Sequence, residues 1–358
     1  MSLLRVYYGT YTGAGSRGLY TGTLDLAAGT LSDPRVAAEA EQPSFAAFHP
    51  NGAFLYAVNE HEVFDGQPTG TISAFAVDTV TGGLAFLGRQ LSHGASPCHV
   101  AVDGQGRHVL VANYHGGSVA SFPIDSRGAL GPATTVVRHR GSGPDRARQE
   151  QAHAHSAHFD RGNRFVLAVD LGIDKVLVYR FDAETGALTP HDPPYAALPP
   201  GSGPRHLAFH PSGPYVYVDN ELSATVTAFR YDGGLGRLTE IETLPTLPAG
   251  FAGANTSAEI QCSPDGRHLY VSNRGHDTIA VFVVDAATGR LTGGGHVSTR
   301  GRAPRHFAIE PSGRYLVAAN QDSDNVVLFR RDAASGGLEP TGSEIHLSRP
   351  VCVRFAPR

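Results

Sequence analysis

Four side chains suited to anion binding or proton transfer stand at equivalent positions of a segment that is repeated along this 358-residue chain. They are His155, Arg205, Glu221 and Arg274. Arginine binds a carboxylate, a phosphate or an oxyanion through paired N–H donors, and histidine and glutamate are common proton-transfer groups. Together they predict a site that holds a small anion and moves protons. The alternative is a set of salt bridges that only stabilises the fold.

A repeated segment supplies the elements that position these side chains. In the copy that begins at Pro204, the letters PRHLAFHPSG are followed one residue later by YVYVDN. Close variants recur along the chain, and their closing polar residues are spaced 47 to 57 positions apart. These closing residues are Asn59, Asn113, Asp170, Asn220, Asn273 and Asn320. A regular period of this length indicates a repeat architecture.

Each copy has the pattern of four short strands. In the copy at Pro204, strands are expected over residues 206–209, 215–219, 224–231 and 238–244. They are rich in Val, Tyr and Phe and are separated by Pro, Gly and Asp, which is typical of antiparallel hairpins. No apolar period of 3.6 residues extends over a helical length. A four-stranded sheet in each repeat is the blade of a β-propeller.

The two ends of the chain supply one further blade. Residues 350–355 have the pattern of a first strand, whereas residues 6–11, 17–24 and 36–40 have the patterns of a second, third and fourth strand. Pairing the ends covers sheet edges that would otherwise invite aggregation. The sequence therefore predicts an all-β fold, a seven-bladed β-propeller with four antiparallel strands per blade. Its last blade is closed by the N- and C-terminal strands, and residues 1–358 form a single domain.

Two sets of equivalent positions are expected at one end of the central channel, because the first two strands of each blade are antiparallel neighbours. The first-strand set lies at the start of each first strand and comprises Ser44, Cys98, His155, Arg205, Ala258, Arg305 and Val351. The second-strand set follows each closing residue and comprises Glu60, Tyr114, Leu171, Glu221, Arg274 and Gln321, with Tyr11 as its seventh member. Residues that only pack would be similar at equivalent positions, whereas these differ in charge, as expected of a binding pocket.

Two groups of functional residues follow from these sets and from the segment before His155. The candidate catalytic residues are His155, Glu221, Arg205 and Arg274. The candidate substrate-binding residues are Arg305, His153, Arg148, Glu60 and Gln321. His99, His206 and His306 recur one position after the first-strand set, which favours packing or hydrogen bonding between blades over chemistry.

The longest irregular insert, residues 138–155, leads directly into His155. It is basic and rich in Gly and Pro, and long loops in compact domains are often functional. It is either a lid that offers Arg146 or Arg148 to an anion or a solvated loop. His153 and His155 would point the same way on an extended strand and could share a metal with Glu221. Such His pairs are common by chance among 18 histidines, so no metal and no cofactor is predicted.

Composition limits the partners and the compartment. A net charge of −4 gives no reason to expect nucleic acid. Three cysteines, Cys98, Cys262 and Cys352, fall in first-strand positions, and their odd number favours reduced thiols over a disulfide framework. No basic leader and no run of 18 apolar residues is present. We expect a soluble cytoplasmic protein without a membrane partner, and the oligomeric state stays open.

Several motifs extend these observations to a known family. They are Tyr8-Gly9-Thr10-Tyr11-Thr12, Gly141-Ser142-Gly143-Pro144, Arg148-Gln149-Glu150 before His153-Ala154-His155, and Ser272-Asn273-Arg274-Gly275. With them the chain resembles the seven-bladed lactonase family, which includes bacterial propeller-type 6-phosphogluconolactonases and fungal carboxy-muconate lactonizing enzymes. The resemblance covers essentially the whole chain and implies a cyclic ester handled without a required metal. It also implies an active-site set at His155, Arg205, Glu221 and Arg274.

The expected activity is therefore hydrolysis of a sugar-acid lactone, with 6-phosphogluconolactone as the expected substrate and this small anionic ester as the only predicted partner. His155 would act as general base on water, and Glu221 as a proton donor or as the group that orients it. Arg205 and Arg274 would stabilise the oxyanion or bind the acid group, and Arg305 with the insert would bind a phosphate. The alternatives are a carboxy-muconate-type cycloisomerase and a non-catalytic propeller that binds a ligand or a protein.

Overall fold

Short antiparallel strands make up most of this computed structural model, which describes residues 3–13 and 15–357. The strands that precede the insert are β1 (Leu3–Thr10), β2 (Gly18–Asp25), β3 (Thr30–Leu31), β4 (Arg35–Glu39), β5 (Ala46–Phe48), β6 (Phe54–Asn59), β7 (Thr71–Val77), β8 (Leu84–Leu91), β9 (Pro97–Val102), β10 (His108–Asn113), β11 (Ser118–Pro123) and β12 (Thr135–Arg138). The strands up to the start of the sixth sheet are β13 (Ala154–Phe159), β14 (Phe165–Asp170), β15 (Lys175–Phe181), β16 (Leu188–Ala197), β17 (Pro204–Phe209), β18 (Tyr215–Asn220), β19 (Thr225–Asp232) and β20 (Arg237–Pro245). The remaining strands are β21 (Thr256–Cys262), β22 (His268–Arg274), β23 (Thr278–Val284), β24 (Leu291–Ser298), β25 (Pro304–Ile309), β26 (Tyr315–Asn320), β27 (Asn325–Arg331), β28 (Leu338–His346) and β29 (Pro350–Phe355). A 3-10 helix, η1 (Leu171–Ile173), lies between β14 and β15.

The strands form seven sheets, and six of them follow the chain in groups of four. Their strand orders run in sequence through β5–β8, β9–β12, β13–β16, β17–β20, β21–β24 and β25–β28. Tight turns make this meander possible. In the turn between β21 and β22, for example, Gly266 has a φ of 72°, a left-handed conformation that favours glycine. The four strands predicted from Pro204 onward agree with β17–β20 to within two residues.

The seventh sheet joins the two ends of the chain, as predicted. Its strand order is β29-β1-β2-β3, and β4 also pairs with β2. Val6 lies opposite Phe355 and Tyr8 lies opposite Val353 across the β1–β29 pair. The two-residue strand β3 is an addition that the sequence did not predict. The predicted all-β architecture of four-stranded antiparallel sheets, with a last sheet closed by the chain ends, is confirmed.

Contacts divide the chain into two compact units. The first unit comprises the N-terminal stretch up to Val36 together with His206–Tyr231 and Thr239–Ala356. The second comprises Ala37–Arg205 with Asp232–Leu238 and the chain from Pro357 onward. The assignment of residues 1–358 to a single domain stays a prediction.

Each unit buries apolar side chains that alternate along its strands. One cluster in the first unit contains Tyr8, Val317 and Val353, which are almost wholly buried. In the second unit, Leu110 and Val166 belong to a cluster of the same kind. Alternation places every second residue of a strand on the same face, so successive sheets pack through these faces. The positions at the strand ends are thereby left for polar residues.

Two further features bear on the sequence-based expectations. Cys98, Cys262 and Cys352 lie in β9, β21 and β29, and all three are free thiols, as predicted. Over residues 3–13 and 15–357, no helix has the length and apolar character needed to cross a membrane.

Candidate active site

Four members of the first-strand set coincide with β-bulges. Ala154 pairs with Asp170 and Ser156 pairs with Val169, so His155 is an extra residue in β13. The same register shift singles out Cys98 in β9, Arg305 in β25 and Val351 in β29. A bulge bends its strand and turns a side chain away from the regular alternation, and bulges often lie beside active sites. The repeat therefore gives equivalent residues a shared geometry while leaving the side chain free to vary.

The second-strand set is held by a third set of positions that the sequence analysis missed. The backbone N–H groups of Glu60, Tyr114, Gln321 and Tyr11 donate to the carbonyls of Gln42, Ser96, Ala303 and Arg349 at 3.0, 2.8, 3.0 and 3.1 Å. These four acceptor residues have left-handed φ values of 46°, 54°, 54° and 45°. A signal was available, because each of them stands immediately before a proline at or shortly before the start of the next first strand. We call these residues the left-handed set.

Glu221 and Arg274 meet in the first unit. Glu221 Oε2 lies 2.9 Å from Arg274 Nη2, and the two side chains are 5% and 16% exposed. Arg274 Nη2 also donates to the carbonyl of Ser257 at 3.0 Å, and the Ser257 N–H donates to the carbonyl of Glu221 at 3.2 Å. A buried charge is costly unless it is paired and hydrogen-bonded. The pair therefore holds a guanidinium and a carboxylate in a defined arrangement.

His155 is buried in the second unit beside a thiol and an aromatic ring. The Cys98 Sγ atom lies 3.8 Å from His155 Nδ1 and 3.2 Å from the His155 carbonyl oxygen. The Tyr114 ring meets the imidazole edge-on, with centroids 5.5 Å apart. These contacts fix the orientation of the ring. An imidazole held this way is suited to taking up and returning a proton.

His153 uses both of its ring nitrogens. Nδ1 lies 3.1 Å from the Tyr114 carbonyl oxygen and Nε2 lies 3.1 Å from Glu150 Oε1, while the ring stacks on Tyr114 at 4.4 Å. Partial burial pulls the pKa of Glu150 upward, but hydrogen bonds from its own backbone N–H and from His153 outweigh it and leave the pKa below its usual range. Neither nitrogen of His153 is therefore available to a metal. Within the described part of the chain, no three His, Cys, Asp or Glu side chains are grouped to hold one.

Asp170 ties both ends of the insert. Its Oδ1 accepts the N–H of His153 at 2.8 Å and that of Gly172 at 3.0 Å. Its Oδ2 lies 2.6 Å from Nδ1 of His139, and both of these side chains are fully buried. Because His139 and His153 are the first and last residues between β12 and β13, one carboxylate closes the base of the loop. We call this arrangement the Asp170 clasp.

The clasp replaces a hydrogen bond that other repeats use. At the position of Asp170, three other sheets have an asparagine whose Nδ2 donates to a carbonyl just after the last strand of the preceding sheet. These pairs are Asn113 with Ser92 at 3.0 Å, Asn273 with Thr246 at 2.8 Å, and Asn320 with Thr299 at 3.0 Å. His139 occupies the corresponding place after β12. The change from Asn to Asp therefore accompanies the insert.

The middle of the insert is also anchored. Gln149 is fully buried, and its Nε2 donates to the Leu171 carbonyl and to Asp174 Oδ1, both at 2.8 Å. Arg148 Nη2 lies 3.3 Å from the Tyr114 hydroxyl. Gln149 thus anchors the insert to η1, whereas residues 140–142, 144–147, 150 and 151 are exposed, so the alternative of a solvated loop holds for most of its middle. Arg148 contacts the hydroxyl of Tyr114 and His153 contacts its ring, and the candidate groups did not include Tyr114.

The other candidate residues have varied surroundings. Arg205 is buried in the second unit, and its carbonyl accepts the Ser156 hydroxyl at 2.9 Å. The Arg305 guanidinium lies over the Tyr11 ring, 5.3 Å from its centroid. Gln321 turns its amide toward Asp322 Oδ1 at 2.9 Å, and Glu60 is partly exposed. The side chain of Gln321 thus donates a hydrogen bond to the residue that follows it in the chain.

The repeated histidines connect strands of neighbouring sheets, as predicted. In the first unit, His206 Nδ1 lies 2.9 Å from Glu259 Oε2, and His306 Nε2 lies 3.5 Å from the same oxygen. In the second unit, the His99 ring packs against Phe45 at 4.4 Å. All of these histidines are buried. The shared acceptor Glu259 was not predicted, and it lies within the irregular part of the β21–β22 register.

Comparisons with known proteins agree with this fold. Residues 5–355 match the family model described as "Lactonase, 7-bladed beta-propeller". A 6-phosphogluconolactonase of Bacillus subtilis is 42% identical over 349 residues, which are 98% of this chain and 97% of that protein. A 6-phosphogluconolactonase of Formosa agariphila is 36% identical over 271 residues, 75% of each chain.

A solved structure extends the comparison to three dimensions. The periplasmic gluconolactonase of Pseudomonas aeruginosa superimposes with a TM-score of 0.93 at 36% identity, covering 99% of each chain. The predicted seven-bladed β-propeller fold class is confirmed by the family match over almost the whole length. The chain belongs to the seven-bladed β-propeller lactonase family.

Proposed function

We propose that this protein hydrolyses the lactone ring of a sugar acid and that its substrate is 6-phosphogluconolactone. The observation that carries the proposal is 42% identity with the 6-phosphogluconolactonase of Bacillus subtilis over 98% of this chain. The relative from Pseudomonas aeruginosa is described as a gluconolactonase, which supports the same bond type on an unphosphorylated acid. The buried Glu221–Arg274 pair and the buried imidazole of His155 supply suitable groups.

The proposed reaction adds water to the lactone carbonyl. His155 takes a proton from water as the oxygen attacks the carbonyl carbon, and the carbonyl electrons move to its oxygen. When the tetrahedral intermediate collapses, the bond to the ring oxygen breaks and His155 returns the proton to that oxygen. The product acid then ionises, so each turnover releases one proton to solution.

Arg205 and Arg274 are proposed to stabilise the oxyanion of the tetrahedral intermediate. Preorganised donors of this kind contribute about 100- to 1,000-fold in rate each. Glu221 lies 2.9 Å from Arg274 and holds that guanidinium in place. This contact supports an orienting role for the Glu221 carboxylate over the role of proton donor. Arg148 and His153 are proposed to contact substrate from the insert, together with Arg305.

The experiment is a panel of aldonolactones, phosphorylated and unphosphorylated, followed by proton release at constant pH. We expect the highest kcat/KM with 6-phosphogluconolactone. No release from any lactone, with cyclisation of a carboxy-muconate instead, would support the cycloisomerase alternative and contradict the proposal. Inactivity on every substrate would favour a non-catalytic binding protein. We also retain the predicted cytoplasmic location, which fits three free thiols, although the Pseudomonas relative is described as periplasmic.

A further inference from the structure

Two arginines flank one tyrosine in the first unit. The guanidinium carbon of Arg305 lies 5.3 Å from the centroid of the Tyr11 ring, and that of Arg349 lies 5.2 Å from the same centroid. Tyr11 and Arg305 are partly exposed and Arg349 is exposed. Stacking on an aromatic face holds a guanidinium in place while leaving its N–H edge available to a ligand. The three side chains together form a cationic surface.

The backbone explains why Arg349 lies beside Tyr11. Arg349 belongs to the left-handed set, with a φ of 45°. Its N–H donates to Asp324 Oδ1 at 2.7 Å and its carbonyl accepts the Tyr11 N–H at 3.1 Å. The same backbone is present at Gln42, Ser96 and Ala303, none of which carries a charge. The repeat therefore accounts for the conformation of residue 349 but not for an arginine there.

The charge of Arg349 calls for an anion. Two guanidinium groups beside one ring repel each other, and an anion bound to Arg349 reduces the repulsion. Within residues 3–13 and 15–357, no acidic side chain lies within 4.0 Å of the Arg349 guanidinium. A phosphate monoester is the ligand best matched to two guanidinium forks, because it carries close to two negative charges on three oxygens.

We propose that Arg305, Arg349 and Tyr11 form the subsite for the 6-phosphate of the substrate. This inference rests on the proposed function and adds Arg349 to the binding residues. Arg349 and Arg305 donate to the phosphate oxygens, and Tyr11 fixes the distance between the two cations. Arg349 acts on affinity and substrate choice and takes no part in bond breaking.

The test compares Arg349→Ala with Arg300→Ala as a matched control. Arg300 is also an exposed arginine with a left-handed φ, 59°, so both variants lose one charge from the same backbone conformation. Calorimetric titration measures the binding of 6-phosphogluconate, gluconate and inorganic phosphate. Steady-state assays measure kcat/KM on the phosphorylated and unphosphorylated lactones.

We expect Arg349→Ala to weaken 6-phosphogluconate binding about tenfold to a hundredfold, the range for loss of a charge-assisted hydrogen bond. Its gluconate affinity should stay within about twofold of wild type, and Arg300→Ala should leave both affinities within that range. Inorganic phosphate should compete with 6-phosphogluconate in wild type and lose affinity in Arg349→Ala. If phosphate binds both proteins equally, or if gluconate loses as much affinity as 6-phosphogluconate, the subsite is refuted.

The two proposals fail in distinguishable ways. A wild-type protein that binds 6-phosphogluconate through Arg349 but hydrolyses no lactone would retain the subsite and refute the proposed function. A protein that hydrolyses 6-phosphogluconolactone equally well with and without Arg349 would support the proposed function and refute the subsite.

Discussion

The Asp170 clasp makes a quantitative prediction about stability. Asp170→Ala removes the acceptor of three hydrogen bonds and leaves the His139 imidazole buried without its carboxylate. Leaving a buried donor without its acceptor typically costs about 1–3 kcal/mol. Because three donors lose their acceptor, we expect the free energy of unfolding to fall by about 3–5 kcal/mol. Asp170→Asn keeps one acceptor oxygen and gains the donor that other repeats use, so its loss should be about 1–2 kcal/mol.

Urea denaturation measures these losses, and Asn320→Ala is the matched control. Asn320 occupies the equivalent position and donates one hydrogen bond, to Thr299, so its removal should cost about 1–2 kcal/mol. Hydrogen–deuterium exchange should rise over the insert, residues 138–155, in Asp170→Ala and not in the control. If both variants lose the same free energy, or if exchange over the insert is unchanged, Asp170 does not close the base of the insert.

Two further predictions concern a hydroxyl in the candidate site and a carboxylate outside it. Tyr114→Phe removes the hydroxyl that lies 3.3 Å from Arg148 Nη2 and keeps the ring. Steady-state kinetics should therefore show a KM for 6-phosphogluconolactone about fivefold higher, with kcat little changed. An unchanged KM would argue against substrate contact by Arg148. Partial burial raises the pKa of Asp265, but hydrogen bonds from the Ser263 hydroxyl and from Arg331 outweigh it and hold the pKa at about 2. This lowered pKa stabilises the fold above about pH 4, and the stabilisation is lost as pH falls from about 4 to about 2. The urea midpoint of wild type should therefore fall over that range more steeply than that of Asp265→Asn, and parallel curves would contradict the assignment.

The repeat made much of the fold predictable. Six closing residues at a regular spacing, with a first-strand pattern at the C-terminal end and the patterns of the other three strands at the N-terminal end, predicted seven sheets and the pairing of β1 with β29. The first-strand set was also found by counting from the turns, and the structure gives the reason: a bulge recurs at Cys98, His155, Arg305 and Val351. Local spacing is sufficient for features that every copy shares.

Features present in one copy only were not predictable in this way. Asp170 was grouped with the asparagines as a closing residue, because its partner His139 is 31 residues away and meets it only when the insert folds back. Arg349 was overlooked because its importance depends on a left-handed backbone that brings it to Tyr11. Such contacts depend on tertiary geometry rather than on sequence period.

Proton release from 6-phosphogluconolactone by wild type and by His155→Ala is the decisive measurement of the proposed chemistry. Spontaneous hydrolysis is subtracted with a protein-free sample, and circular dichroism verifies that both proteins are folded. If His155 is the general base, the variant should lose about two to four orders of magnitude in kcat. Full activity in a folded His155→Ala protein would contradict the proposed role of this residue, and no activity in wild type would contradict the proposed reaction.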